Sequence, residues 1–398
     1  MDTGVVMPVY TQRPDFLHQA LESVLQQSLK EFHLIIVIDG DPDMLPLVRL
    51  YTAGDPRVSV ISHSSNKGVA HALNTGFNLL FTDERIKYLT WVSSDNVYNP
   101  RFLELLRAAL AKGREELGLV YSSFQSIDNN GKQLNDEHQL AALRQYQSQP
   151  KEKLLDSSII GVSFMYKAGI ARLVGDYGMQ PVEDYDYWLR MTEYCDIRYI
   201  PVELMNYRVN SSFSVSAQLL TTEHHRRWRY MYHLTRLQAR NRRNIHPVLT
   251  VLYPVEAAGD YVLAESFYEQ TFSNYIFRVL DLSLSSRPSI ELAAIAHPTT
   301  DFSWMPGAAV QHALYRSLEH IGTPFTMILG PEQFKGYLDV QYMLDNLILT
   351  GDAAISNYYT DDHTQIGYRH KSTPSVKDNL YNELFRTDAL KELLGSSI

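Results

Sequence analysis

Three stretches of this 398-residue chain hold carboxylates at spacings that could support chemistry. The apolar, β-forming run Tyr88-Leu89-Thr90-Trp91-Val92 stops abruptly in Ser93-Ser94-Asp95-Asn96. The run from Phe32 to Ile38 stops in Asp39-Gly40-Asp41-Pro42-Asp43, a turn crowded with acids. Further on, Glu183-Asp184-Tyr185-Asp186 opens a helix-like segment. A hard cation bridging phosphate oxygens needs one or two carboxylates, with water filling its other positions, and Asp95 is the candidate ligand. Asp95 and Asn96 have a plainer use as a turn capping a helix that begins near Pro100. Glu183 and Asp186 have one too, since acids in a first helical turn complement the helix dipole. A carboxylate at such a helix start, facing a cleft, can also act as general base toward a substrate hydroxyl.

The elements around these stretches decide whether they meet. Val5-Val6-Met7-Pro8-Val9-Tyr10 predicts a strand running into a loop, followed by a helix with Leu17, Leu21, Val24 and Leu25 on one face. Val58–Ser62 predicts a third strand. Asn66-Lys67-Gly68 then opens a helix from Val69 to about Leu80, whose first backbone N–H groups could face an anion. A helix from about Pro100 to Ala111 and strands at Leu119–Ser122 and Ile159–Tyr166 follow. Strands alternating with helices at this spacing predict an α/β fold with a doubly wound, mostly parallel sheet. Asp39 and Asp95 then end strands on the same edge, where open α/β sheets bind ligands. No Gly-rich phosphate fingerprint is present, which leaves a metal to neutralise any phosphates.

Length allows two or three domains. The net charge of −9 gives no basic field for nucleic acid. A single cysteine, Cys195, excludes an intramolecular disulfide framework. With neither a signal-like start nor an apolar run of bilayer length, a cytoplasmic protein is expected.

These pieces, in this order, resemble glycosyltransferase family 2, which has the GT-A fold. The resemblance rests on Met7-Pro8-Val9-Tyr10, Ala20–Gln27, Ile38–Asp43, Asn66-Lys67-Gly68, Ala72–Gly76, Ser94-Asp95-Asn96, Glu183–Arg190 and Tyr207-Arg208, over about the first 215 residues. It implies a nucleotide pocket lined by Pro8, Val9 and Tyr10, with Asp39 on the base. Asn66, Lys67, Gly68 and Ser94 would lie along the donor, and Asp95 would ligate Mn²⁺ or Mg²⁺. Asp184 would be the catalytic base, with Glu183, Trp188 and Arg190 on the acceptor side. Two departures stand out: Ser93 and Ser94 replace frequent acids, and Asn210 stands where many members carry histidine.

From Glu223 to Arg243 the chain predicts a basic helix, with Arg229, Arg236, Arg240 and Arg243 on one face and Trp228, Met231 and Leu234 on the other. A linker helix with a solvated face, packed across the first domain, is the plain expectation; contact with an anionic membrane surface or with an acidic acceptor is the sharper one. After Pro247 the pattern begins again. Val251–Val255 echoes Val6–Val9, and Leu263–Phe272 echoes Leu21–Leu29. Ile295-Ala296-His297 echoes Ile61-Ser62-His63, Phe325–Leu329 echoes the strand before Asp95, and Ala354–Tyr358 echoes Leu119–Ser123. The expected organisation is a GT-A domain over 1–217, a basic helical linker over 218–245 and a smaller, degenerate GT-A-like domain over 246–398. Its turn after Val279-Leu280-Asp281 lacks the acidic cluster of the first half, and the strand that runs to Leu329 ends in Gly330-Pro331-Glu332-Gln333 with no Asp-containing metal motif.

The expected function is inverting, metal-assisted transfer of a sugar from a nucleotide-diphosphate donor, UDP-sugars first, to a hydroxyl of a glycan, glycolipid or protein. A possible homodimer and a peripheral position at the inner face of a membrane accompany it. Two rivals remain: a non-catalytic scaffold of the same fold, and a nucleotidyltransferase, for which Tyr10 to Asp15 lacks the usual Gly-rich basic loop.

Overall fold

The computed structural model describes residues 1–209, 221–257, 261–295, 297–360, 362–371 and 379–395. Asn210 and the serine-rich run that follows it lie outside them. The chain divides into two compact units, Met1–Met231 and Tyr232–Ile398.

The first unit opens with β1 (Thr3–Val9), α1 (Pro14–Leu25), β2 (Phe32–Asp39), α2 (Met44–Thr52), β3 (Val58–His63), α3 (Val69–Leu80) and β4 (Tyr88–Trp91). It continues with β5 (Val97–Tyr98), α4 (Phe102–Ala111), β6 (Leu117–Ile127), α5 (Glu137–Gln147), β7 (Phe164–Lys167), α6 (Ala168–Val174), α7 (Glu183–Met191) and β8 (Asp196–Arg208). The sheet order is β3-β2-β1-β4-β7-β6-β8-β5. β1 pairs in parallel with both β2 and β4, and β2 with β3, so their carboxyl ends share one edge. The chain winds outward from β1 to β3 and then returns to β4 on the other side of β1. That reversal opens a crevice between the ends of β1 and β4.

Burial on both faces explains the unbroken apolar runs of β1 and β2. Val5, Met7 and Val9 pack with Leu34, Ile36 and Ile38, and with Leu17, Leu21 and Val24 of α1. The expected strand from Ile159 is shorter than its composition suggests. Ile159 and Ile160 are fully buried, but Gly161 takes a left-handed conformation and pairing starts only at Phe164.

α8 (Thr222–Arg242) crosses the division between the units. Its basic face is not solvated: Arg229, Arg236 and Arg240 are all buried. Arg236 donates to the Thr271 carbonyl at 3.1 Å and stacks over Tyr232, and Arg240 donates to Ser273 Oγ at 2.9 Å. Guanidinium groups can be buried where several acceptors converge on their fork, and here the second unit supplies acceptors to Arg236 and Arg240. The expected membrane-facing surface is therefore absent from this face.

The second unit contains β9 (Leu249–Val255), α9 (Val262–Tyr268), β10 (Tyr275–Asp281), α10 (Arg287–Ile295), β11 (Thr300–Trp304), α11 (Val310–Leu318) and β12 (Phe325–Ile328). Then come α12 (Asp339–Leu349), β13 (Ser356–Tyr359), β14 (Ile366–Arg369), β15 (Leu384–Arg386) and α13 (Thr387–Gly395). Its sheet runs β11-β10-β9-β12-β15-β13-β14. The first six positions repeat the first six of the other sheet, including the antiparallel strand, β15 for β7, beside the fourth parallel one. The molecule is thus a tandem of two GT-A-like α/β folds. One echo needs correction. Ile295 ends α10, and the strand matching β3 begins five residues later at Thr300. His297 instead stacks on Tyr268 and Tyr275 in the core, with ring centroids 4.2 and 5.7 Å away.

Candidate active site

β4 ends at Trp91, and the next residues turn through a set of side-chain bonds at the crevice. The Ser93 N–H donates to the Tyr98 hydroxyl at 2.7 Å, and Ser93 Oγ donates to Asp95 Oδ1 at 2.8 Å. Ser94 Oγ accepts from Gln12 Nε2 at 3.3 Å, joining this turn to the loop after β1. Asn96 Oδ1 accepts the Arg208 N–H, and Arg208 Nε donates to the Asp95 carbonyl. Arg208 also donates to the Asp128 carbonyl and to Gln19 Oε1, with its guanidinium 4.0 Å from the Phe16 ring centroid. Neither Asp95 nor Asn96 caps α4, whose Leu103 N–H donates instead to Gln27 Oε1 at 2.9 Å. The turn is built for the crevice and not for the helix.

Asp184 lies 93 positions beyond Trp91 in the chain, yet it reaches the same strand. Trp91 donates its indole N–H to Asp184 Oδ1 at 3.1 Å. Burial, and secondarily the charge of Glu183, push the Asp184 carboxyl well above the ordinary range. Burial also raises the Glu183 carboxyl, whose Oε2 has no hydrogen-bond partner among the described residues. Tyr98 lies close enough to both Asp95 and Asp184 for their charges to act on its phenol, although burial is the main reason that phenol is hard to ionise. The crevice therefore collects a carboxylate at the end of β4 and a second, proton-retaining pair at the start of α7.

Asp39, only 3% exposed, is occupied by its own chain. Its oxygens accept from His63 Nδ1 at 2.7 Å, from the Lys67 N–H at 3.1 Å and from the Gly68 N–H at 2.8 Å. The loop 64–68 crosses so close to Gly40 that a Cβ there would lie 2.1 Å from Asn66 N; with φ at +86°, only glycine suits the position. The next two N–H groups, of Val69 and Ala70, also find an acceptor. With its amide oriented so that oxygen meets donors, Gln180 accepts from them at 2.8 and 2.9 Å. The expected anion site at the start of α3 is therefore filled: Asp39 takes the first pair of donors and Gln180 the second. Nothing in the local sequence signals Gln180, which arrives from the loop before α7.

The remaining expected residues separate clearly. Tyr10 is half exposed at the mouth, Pro8 is partly buried, and Asn66 and Lys67 are exposed. Val9 is fully buried, so its side chain belongs to the core and does not line a pocket. Trp188 is likewise fully buried, 4.3 Å from Phe164 between ring centroids, and has no face for an acceptor. Arg190 clasps Asp186 Oδ2 and the carbonyls of Val174 and Asp176, bracing α7 against the preceding loop. Sequence reasoning missed Trp91, His63, Gln12 and Gln180, whose partners lie far away in the chain.

No group of three or more His, Cys, Asp or Glu side chains among the described residues could cage a metal. Asp95 at the crevice fits a different arrangement, in which one carboxylate and the donor's own phosphates hold Mg²⁺ or Mn²⁺.

Fold and site together define a GT-A-like α/β domain with carboxylates gathered at the switch point of its sheet. Residues 4–174, all within the first unit, match the model of Glycosyl transferase family 2, so the chain carries a domain similar to that family. An uncharacterized glycosyltransferase of Rickettsia prowazekii is 26% identical over 225 residues, covering 54% of this chain and 66% of the relative. One of Methanocaldococcus jannaschii is 27% identical over 194 residues, covering 47% and 63%. The chain thus spans just under two thirds of the length of these relatives. Among solved structures, Staphylococcus aureus TarS in complex with UDP-GlcNAc aligns over 59% of this chain and 66% of its own, at 13% identity and a TM-score of 0.46. The mannosyltransferase PcManGT of Pyrobaculum calidifontis, in complex with GDP-Man and Mn²⁺, aligns over 61% and 64%, at 14% and 0.43.

Proposed function

We propose that the first unit transfers a sugar from a nucleotide-diphosphate donor to an acceptor hydroxyl with inversion, and that Asp184 is its base. The observation that carries this reading is the Trp91–Asp184 hydrogen bond. It ties the one carboxyl best suited to take a proton to the strand that ends in Asp95. The donor lies in the crevice between β1 and β4, with its diphosphate near Asp95. Asp95 would hold the divalent ion, which offsets charge on the departing diphosphate. Asp184 removes the acceptor's hydroxyl proton as that oxygen bonds to the anomeric carbon. The bond from that carbon to the phosphate oxygen breaks on the opposite face, and the nucleoside diphosphate leaves with the electron pair. A carboxyl raised by burial suits this role, because a base works best when its pKa approaches the working pH. Similarity to that family makes UDP-sugars the first donors to try, with acceptor hydroxyls on glycans, glycolipids or proteins.

Thermal denaturation against nucleoside diphosphates, with and without Mn²⁺, tests the donor site by mass action. A metal-dependent shift for one base, lost in Asp95→Ala, is expected. The absence of any shift would favour a scaffold of the same fold. Product stereochemistry by NMR then tests inversion.

A further inference from the structure

We propose that Arg208 is a positioning residue of the donor site, whose buried guanidinium fork holds the turn carrying Asp95 in place for a metal-bound diphosphate. This role rests on the donor reading above. Arg208 ends β8 and is 1% exposed, one of the largest side chains so fully enclosed. Each of its three guanidinium nitrogens meets an acceptor from a different part of the first unit. Nε donates to the Asp95 carbonyl at 3.0 Å, Nη1 to the Asp128 carbonyl just beyond β6 at 2.8 Å, and Nη2 to Gln19 Oε1 of α1 at 2.9 Å. The Arg208 N–H donates at the same time to Asn96 Oδ1 at 2.9 Å. The Asp95-Asn96 segment is thus gripped at two points by one residue.

The cost of this arrangement argues for a use. All three acceptors are neutral, and among the described residues no carboxylate bonds to Arg208. Taking a cation out of water without a bonded anion is expensive, and a neutral side chain could join these elements at lower cost. Asp95 supplies the strongest of the neighbouring charges that act on Arg208. Lysine could bring the same charge, but not three bonds in one plane, so the fork is the working part. The turn also has little to spare: Ser93 and Ser94 stand beside Asp95, and no second acid can make up for a misplaced one. How firmly Asp95 is backed then decides how well it shares a divalent ion with the donor's phosphates. Enclosed as it is, Arg208 acts through Asp95.

The test reads the coupling between metal and nucleotide in the full chain. UDP, GDP, CDP and ADP are titrated by calorimetry, with and without Mn²⁺, into the unaltered protein, Arg208→Lys and Gln19→Ala, well below their unfolding temperatures. For the nucleotide that binds, Arg208→Lys should lower the affinity in Mn²⁺ by about tenfold or more. The metal-free affinity should stay nearly as it was. A residue that only stabilised the fold would lower the melting temperature and leave both affinities of the folded protein unchanged, and that result would overturn the proposal. An equal loss with and without metal, or binding to the unaltered protein that needs no metal, would overturn it too while sparing the donor reading. Should Arg208→Lys fail to fold, Gln19→Ala decides, since Gln19 is exposed and its loss frees only one branch of the fork. There the affinity in Mn²⁺ should fall about threefold, as for one hydrogen bond, and no change would overturn the proposal. If none of the four nucleotides binds the unaltered protein in Mn²⁺, the donor reading fails and this role falls with it.

Discussion

A partly buried carboxyl that resists ionisation gains something for catalysis and costs something in stability, and Asp184 carries both effects. Burial and the neighbouring Glu183 raise it in the folded protein above its unfolded value. The proton is therefore favoured by folding, and the associated stability is full in acid and lost as pH rises through the folded value. Asp184→Asn mimics the protonated form at all pH values. It should raise the melting temperature at neutral pH by about 2–4 °C for each kcal/mol relieved, and the gain should vanish in acid below the ordinary carboxylate range. The same variant should lower turnover by about a hundredfold or more. A stabilised, inactive protein would separate the base from a merely structural acid. In the active enzyme, kcat/KM should rise with pH as the Glu183–Asp184 pair loses its proton, a macroscopic property of the pair and not of one residue.

At the scale of elements, two long-range contacts tie the segment around the start of α7 to the rest of the first unit, Asp184 to β4 and Gln180 to α3. Trp91→Phe keeps an aromatic ring, although a smaller one, and removes the N–H that orients Asp184. Roughly a tenfold fall in kcat with little change in donor KM is expected, because the donor site stays intact while the base loses its bearing. Gln180→Ala removes the cap of α3 and should cost about 1 kcal/mol in urea denaturation. The alternation of apolar runs and amphipathic helices made the strands, their shared edge, and the positions of Asp39 and Asp95 legible in the sequence. What the sequence hid was pairwise. Gln180 and the start of α3 are more than a hundred positions apart, and no periodicity links them. Trp188 and Arg190 sit in a motif whose resemblance suggested an acceptor site. A helix buried on most of its surface, as α7 is, nevertheless turns Trp188 inward and spends Arg190 on carbonyls. The arginines of α8 misled for a related reason: their charge suggested solvent, while acceptors from a distant segment, Thr271 and Ser273, made burial possible.

At the scale of the molecule, the two units place a carboxylate at the end of their second strand and surround it differently. Asp39 is met by His63 and a loop beside an open crevice. Asp281, at the end of β10, is fully buried and accepts from the N–H and Oγ of both Ser283 and Ser289. Burial alone would raise Asp281, but these hydrogen bonds prevail and hold it below the ordinary value. Beyond β12, where the first unit carries Asp95, Asn382 accepts the Gly330 N–H and Tyr381 packs so tightly that a Cβ on Gly330 would lie 2.2 Å from its own Cβ. In the second unit the ends of β10 and β12, the counterparts of β2 and β4, are thus each closed by side chains of that same unit. Asp281 should therefore stabilise the second unit and take no part in donor binding. Asp281→Ala leaves four donors without their acceptor and should cost about 3 kcal/mol or more, since hydrogen bonds to a charged group contribute about 1.5–3 kcal/mol each. A depressed carboxyl contributes stability above its unfolded value and loses it as pH falls through the folded one. The penalty should therefore be full at neutral pH and shrink in acid, opposite in sign to the gain in Asp184→Asn. Calorimetric scans of both variants with UDP and Mn²⁺ check the division of labour. In Asp281→Ala the ligand should still raise the transition of the first unit by the unaltered amount. A lost ligand shift in that variant would mean that the second unit contributes to donor binding after all.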